Sequence, residues 1–191
     1  MGLRRRARAF TLIEMMIVVV VVGVLSVIAL VAYRRWVRSA HVGEAQDMVA
    51  NIRAAEEAFY AENGGYLDVS GCLGKGCSYP SQNPGAFATQ WGGPCSWCKN
   101  PLTGWSGLTV HASAPVYFGY SVIADAQTPP SGRVGTKTVN GQALDLSQMG
   151  LNGSPWYFVE ADANISGDGV SFTHVYGMSG TSQIFVDGEG N

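Results

Sequence analysis

The sequence predicts an α+β protein in which one long N-terminal α-helix, apolar in its first half, packs on a small antiparallel β-sheet. Two observations carry this prediction. A helical pattern fills the first third of the chain, and short β-type runs bounded by turn residues fill the last part. A folded core is expected, because hydrophobic residues make up 47% of the 191 residues and charged residues only 14%.

The first half of the predicted helix contains residues 15–33, a stretch of 19 residues without a charge. Such a helix is about 28 Å long at about 1.5 Å per residue, close to the thickness of a bilayer core. It is apolar on every side, which is typical of a helix buried in lipid or in a bundle. A secretory signal peptide would be shorter and would be followed by a small-x-small cleavage site, which this segment lacks.

Charge and motifs exclude two classes of function. Four arginines lie within residues 1–9, and without them the chain has eight basic and fourteen acidic side chains. This acidic balance gives no electrostatic reason to contact nucleic acid directly. No enzyme motif is present, since the chain lacks G-x-S-x-G, a phosphate-binding glycine loop and H-E-x-x-H. The three histidines, His41, His111 and His174, are isolated in the sequence, and we predict no catalytic residues.

One carboxylate interrupts the apolar pattern. Glu14 lies at the start of the apolar segment, where a lone charge costs about 2–3 kcal/mol. The apolar run that follows offers no cationic partner. Glu14 is therefore predicted to be functional, with a partner from outside its own helix.

The motif Arg8-Ala9-Phe10-Thr11-Leu12-Ile13-Glu14, followed by the apolar run, resembles the prepilin signature of type IV pilins and pseudopilins. The resemblance is strong over residues 8–65 and architectural beyond them. It implies that a prepilin peptidase cuts between Ala9 and Phe10, and that the new amine on Phe10 is then methylated. It also implies that Glu14 pairs with the N-terminal amine of a neighbouring subunit during assembly.

This chain departs from the family pattern at two positions. Ala9 stands where the family usually has Gly, and both residues are small enough for the cleavage site. Val31 stands where many members have Pro, so nothing forces a kink in the helix there.

The resemblance further implies a location and partners. The prepilin would sit in the inner membrane as a single-pass protein with its N-terminus in the cytoplasm. The pilus assembly machinery would then polymerise it into a helical homopolymer outside the cell that supports adhesion, motility or DNA uptake. One alternative is a pseudopilin of a type II secretion system, in a periplasmic pseudopilus. Another is a monomeric, uncleaved, membrane-anchored binding protein.

The pattern divides the chain into four parts. These are a removed leader 1–9, an apolar helix 10–38, an amphipathic helix 39–63 and a globular head 64–191, in which loop 67–115 precedes sheet 116–191. In the amphipathic part, apolar residues recur at steps of three and four, at Val42, Ala45, Val49, Ile52, Ala55 and Phe59. Asn63-Gly64-Gly65 is predicted to end the helix.

Strands are predicted at 116–124, 156–161, 170–176 and 183–186, with the last three forming a meander.

All four cysteines lie in the loop, at Cys72, Cys77, Cys95 and Cys98. Export places them in an oxidising compartment, which predicts two disulfides and leaves all three pairings open. The alternative is a zinc site, because the C-x4-C and C-x2-C spacings resemble those of zinc ligands.

A second group of residues suggests calcium. Asp162, Asn164, Ser166 and Asp168 place oxygen side chains at every second position, as in the first half of an EF-hand loop. Thr173 stands where that loop needs a bidentate Glu, so Glu160 or Asp187 would have to complete the shell. The alternative is an Asp/Asn/Gly-rich β-turn. No cofactor is required, although this loop would suit a structural calcium ion.

Overall fold

The computed structural model describes residues 10–99, 104–125, 137–139, 142–144 and 153–188. The predicted leader 1–9, including Ala9, lies outside the described residues. The helices are α1 (Leu12–Asn63) and the single turn α2 (Gly104–Gly107). The strands are β1 (Gly119–Asp125), β2 (Lys137–Val139), β3 (Gln142–Leu144), β4 (Trp156–Ala163), β5 (Thr173–Met178) and β6 (Phe185–Asp187). The chain forms two compact units, Met1–Val37 and Arg38–Asn191.

The first unit contains the apolar part of α1. Among the described residues one helix, α1, is long and apolar enough to cross a membrane. This criterion rests on length and composition, and some signal sequences and core helices also meet it. The best 18-residue window of α1 has a mean hydropathy of 3.1, and none of that window is buried.

In the second unit, α1 packs one face on the sheet. That face buries Val42, Ala45, Met48, Val49, Ile52 and Glu56. Contact with β5 is close at Gly177, where an added Cβ would lie 2.7 Å from both Val49 Cγ1 and Arg53 Cδ. The helix ends as predicted, with Gly64 at a φ of 73° and its N–H bonded to the carbonyl of Tyr60.

The main sheet has the order β1-β4-β5-β6, and every neighbouring pair is antiparallel. This confirms the predicted α+β fold and the meander of the last three strands. Three of the four predicted strands start later than predicted, because β1 begins at Gly119, β5 at Thr173 and β6 at Phe185. Residues 170 and 171 instead belong to a turn, since their N–H groups bond to the side chain of Asp168. The β2–β3 hairpin was not predicted from the sequence.

The sheet buries both of its faces. One face carries Val122, Tyr157, Val159 and Val175, which join the helix residues in the larger apolar cluster. The opposite face carries Ile123, Phe158, Tyr176 and Met178, which pack with Val139 of β2. Polar residues of the second face, including Glu160 and Asp162, are therefore buried as well.

Aromatic rings support the described part of the long loop. Trp91 and Trp105 are buried, with their ring centroids 5.3 Å apart. Tyr79 contacts both rings, and its hydroxyl accepts the N–H of Gly92. Trp91 also packs the loop against the sheet residue Tyr120.

Candidate functional site

The N-terminus of α1 is capped by reciprocal hydrogen bonds between two residues, Thr11 and Glu14. Thr11 precedes the first helical residue, and its N–H and Oγ1 donate to Glu14 Oε2 over 2.8 Å and 2.6 Å. The Glu14 N–H lies 3.3 Å from Thr11 Oγ1, which can accept it. This is a capping box, in which the third helical residue reaches back to the residue before the helix.

The capping box fixes the position of the Glu14 carboxylate. It lies beside the backbone N–H of Thr11, one residue from Phe10, at the helix end where the dipole favours a negative charge. A carboxylate can accept several hydrogen bonds, so the bonds at Oε2 leave capacity for another donor. The role of Thr11 was not predicted, although the spacing Thr-x-x-Glu would have indicated it.

An exposed apolar surface follows the capping box. Phe10 is 74% exposed, and the Leu, Ile, Val and Met side chains from Leu12 to Val31 are each between 50% and 79% exposed. Soluble monomers rarely expose apolar surface of this extent, so the segment requires lipid or protein around it.

Comparison with known proteins identifies this segment. A family model described as the prokaryotic N-terminal methylation motif matches residues 4–30. The type IV major pilin PilE1 of Neisseria gonorrhoeae is 32% identical over 83 residues, which are 44% of this chain and 50% of that protein. The type IV major pilin PilA of Myxococcus xanthus is 33% identical over 69 residues, 36% of this chain and 31% of that protein. The chain is a distant homologue of the type IV major pilins.

The fimbrial protein EcpC of Eikenella corrodens is also similar to this pilin homologue, at 36% identity over 62 residues, 32% of this chain and 40% of that protein. The matches therefore span half or less of each of these relatives. No solved structure matches the chain. Pilins are structural proteins without enzymatic activity, so the homology supports the prediction that this chain is not an enzyme.

The cysteines of the pilin homologue pair locally. Cys72 bonds to Cys77 and Cys95 bonds to Cys98, with Cα atoms 5.7 Å and 5.4 Å apart. This is one of the three pairings that the sequence left open. A disulfide sulfur is not the thiolate that zinc binds, so the alternative zinc site does not form in this structure.

The four predicted calcium ligands make hydrogen bonds within the protein. Asp162 lies in β4, is 1% exposed and accepts a hydrogen bond from Ser78 Oγ, and its burial raises the pKa of its carboxyl to about 6. Asn164 Nδ2 donates to Asp168 Oδ1 over 3.0 Å, and Ser166 Oγ donates to Asn164 Oδ1 over 3.4 Å. Hydrogen bonds from Ser171 keep the pKa of Asp168 well below its ordinary value.

These contacts hold Asn164, Ser166 and Asp168 in a closed turn with Gly167 at a φ of 74°. Within the part of the chain that the structure describes, no three His, Cys, Asp or Glu side chains are grouped to hold a metal ion. Calcium binding here stays a prediction.

Glu160, named above as a further calcium ligand, lies instead beside Lys137 and His174. Its oxygens lie 3.1 Å and 3.2 Å from Lys137 Nζ, and Oε1 lies 3.2 Å from His174 Nδ1. Burial alone would raise the pKa of Glu160, but the hydrogen bonds and charges of His174 and Lys137 together lower it. The sequence did not indicate this cluster, because Lys137 belongs to the hairpin that was not predicted.

Proposed function

We propose that this chain is the structural subunit of a type IV pilus, stored in the inner membrane as a prepilin and polymerised through the apolar part of α1. The observation that carries this proposal is the methylation motif together with the first part of α1, where the Leu, Ile, Val and Met side chains from Leu12 to Val31 are all at least half exposed. Burying one such side chain is worth about 1.5–3 kcal/mol, so the surface is costly unless lipid or neighbouring subunits cover it.

Glu14 supplies the specific contact in this proposal. A carboxylate within a bundle of apolar helices is tolerated only when it is paired. Cleavage before Phe10 by a prepilin peptidase would create an amine, which keeps its positive charge after methylation. That amine on a neighbouring subunit is the cationic partner that the helix of Glu14 itself does not offer.

The names of the relatives favour a pilus over a secretion pseudopilus. Two of them are described as type IV major pilins and one as a fimbrial protein. We therefore place the assembled subunit in an extracellular filament that supports adhesion, motility or DNA uptake.

The test is the intact mass of the protein in material sheared from the surface of cells that carry the wild-type chain or Glu14→Gln. The wild type is expected in the sheared fraction as residues 10–191 with one added methyl group and without four hydrogens, because two disulfides form. Glu14→Gln should be absent from this fraction and present in the membrane. Gln can still cap the helix, so this variant separates the charge from the capping box.

Thr11→Ser is the matched control, because it keeps both the cap and the charge, and it should give normal filaments. Full-length protein found only in the membrane would support the uncleaved anchor instead. Normal filament yield from Glu14→Gln would show that the trans charge pair is not needed.

A further inference from the structure

One carboxylate is fully buried in the head where α1 meets the segment that follows it. Glu56 lies on the sheet-facing side of α1 and is 0% exposed. Its Oε2 accepts the N–H of Leu67 over 2.9 Å. Its Oε1 is also buried, and no described residue makes a hydrogen bond with it. An ionised carboxylate in this position would therefore lack most of the contacts that it has in water.

The charged groups near Glu56 do not compensate for its burial. Glu57 on the same helix and Asp68 on the following segment are both acidic, and both disfavour a second negative charge. Arg53, one turn earlier, directs its guanidinium to the carbonyls of Thr181 and Ser182. Burial raises the pKa of Glu56 to about 8, and this effect outweighs the hydrogen bond from Leu67. While it is buried in this way, Glu56 is thus mainly a neutral acid at pH 7.

The hydrogen bond from the Leu67 N–H to Glu56 attaches residues 64–69 to α1. We call these residues the exit segment. This segment leaves α1 at Gly64 and continues to Ser70, whose N–H bonds to the carbonyl of Val122 in β1. Leu67 also packs tightly, since a Cβ added at Gly107 would lie 3.0 Å from Leu67 Cδ2. Glu56 is therefore placed to connect the helix with a segment whose far end hydrogen-bonds to β1.

We propose that Glu56 is a proton-dependent latch that holds the exit segment on α1. The neutral acid fits the buried site, whereas lifting of the segment admits water and lets Glu56 ionise. The open form therefore binds the proton less tightly, and a rise in pH favours opening. This proposal concerns the head alone and does not depend on the function proposed above.

The sign and size of the effect follow from linkage. A carboxyl that is exposed in the open form loses its proton near its ordinary pKa of 4.5, whereas the buried one keeps it up to about 8. The opening equilibrium should then increase about tenfold per pH unit between pH 5 and pH 8. Above pH 8 both forms are ionised, and the equilibrium should stop changing.

Hydrogen exchange of the Leu67 amide tests this in the full-length protein in detergent micelles, with rates corrected for intrinsic exchange. Protection should fall about tenfold per pH unit from pH 5 to pH 8 and then level off. The Tyr79 and Tyr120 amides, which bond to each other's carbonyls, serve as internal references and should show no such slope.

Two variants separate the latch from general effects of pH. Glu56→Gln keeps an acceptor for the Leu67 N–H but cannot titrate, so its protection should not depend on pH. Glu57→Gln removes the exposed acid beside it and should keep the wild-type slope. If Glu56→Gln does not fold, Glu56→Met also removes the titration and serves in its place. A flat wild-type profile, or an unchanged slope in the variant without the carboxyl, overturns the proposal.

Discussion

Glu160 and Asp68 are both paired with a lysine, but their surroundings differ. The Glu160 side chain is 2% exposed and that of its partner Lys137 is 27% exposed. Asp68 pairs with Lys99 over 2.7 Å, and the side chains of Asp68 and Lys99 are 10% and 57% exposed. Water reaches the Lys99 ammonium more freely than that of Lys137 and screens its pair more, so the two lysines should differ in how much they stabilise the head.

We expect Lys137→Met to lower the free energy of unfolding by about 1–3 kcal/mol, because it removes the lysine partner of a buried charge. The matched variant Lys99→Met should change it by about 0–1 kcal/mol. Denaturant unfolding of the full-length protein in micelles at pH 7 measures both, and equal losses would contradict the argument.

The loss of stability caused by Lys137→Met should depend on pH. Because the pKa of Glu160 is lowered in the folded protein, the stability it contributes is present above its ordinary pKa of 4.5 and is lost as pH falls. The difference between wild type and Lys137→Met should therefore shrink below about pH 4.5.

At the level of single residues, the sequence indicates Glu14 but not Glu56. Glu14 stands out because it interrupts an apolar run, where a charge always needs an explanation. Glu56 lies four positions after Ile52 on the buried stripe, but the sequence argument placed Ala55 and Phe59 on the stripe instead. Both of these are only half-buried. A charged residue is normally assigned to solvent, and only the packed structure shows that this one is buried.

At the scale of elements, side chains of α1 lie directly against the backbone of β5 at Gly177. An added Cβ there would lie 2.7 Å from two helix side chains. Gly43, also on α1, has nothing within 4 Å of such an added atom. The two glycines therefore separate the effect of packing from the effect of glycine on the backbone.

Gly177→Ala should destabilise the head by about 1–3 kcal/mol, because the helix or the strand must shift to admit the methyl group. Gly43→Ala should stabilise it by about 0.5–1 kcal/mol, because alanine loses less backbone entropy in a helix. Thermal unfolding of both variants under the same conditions gives the comparison. A neutral Gly177→Ala would show that the helix is less closely packed than the structure indicates.

The elements that the sequence predicted well are those with a long periodic signal. The stripe from Val42 to Ile52 is buried, and the run 156–161 forms a strand as predicted. The hairpin of β2 and β3 has only three residues in each strand, which is too short for alternation to be recognised. Asp162 was assigned to a loop by its Asp/Asn/Gly neighbours, whereas pairing with β1 and β5 extends β4 through Ala163.

At the scale of the whole molecule, the two units differ in what covers their apolar side chains. In Met1–Val37, the large apolar side chains from Phe10 to Trp36 are exposed, whereas Arg38–Asn191 contains both apolar clusters and both disulfides. A unit with its own core and its own covalent links meets the conditions for independent folding. The need for lipid or neighbouring subunits should then belong to the first unit alone.

We therefore expect a fragment of residues 38–191, exported to an oxidising compartment, to be soluble and monomeric without detergent. It should contain both disulfides and unfold cooperatively, because its buried residues supply their own core. Residues 10–191 are the matched control and should remain in solution only with detergent, since the additional residues expose an apolar surface. Mass spectrometry without reductant, sedimentation and thermal unfolding measure these properties. A fragment that aggregates or melts without cooperativity would show that the apolar segment is needed for the head to fold, and that the first unit does more than provide an apolar surface.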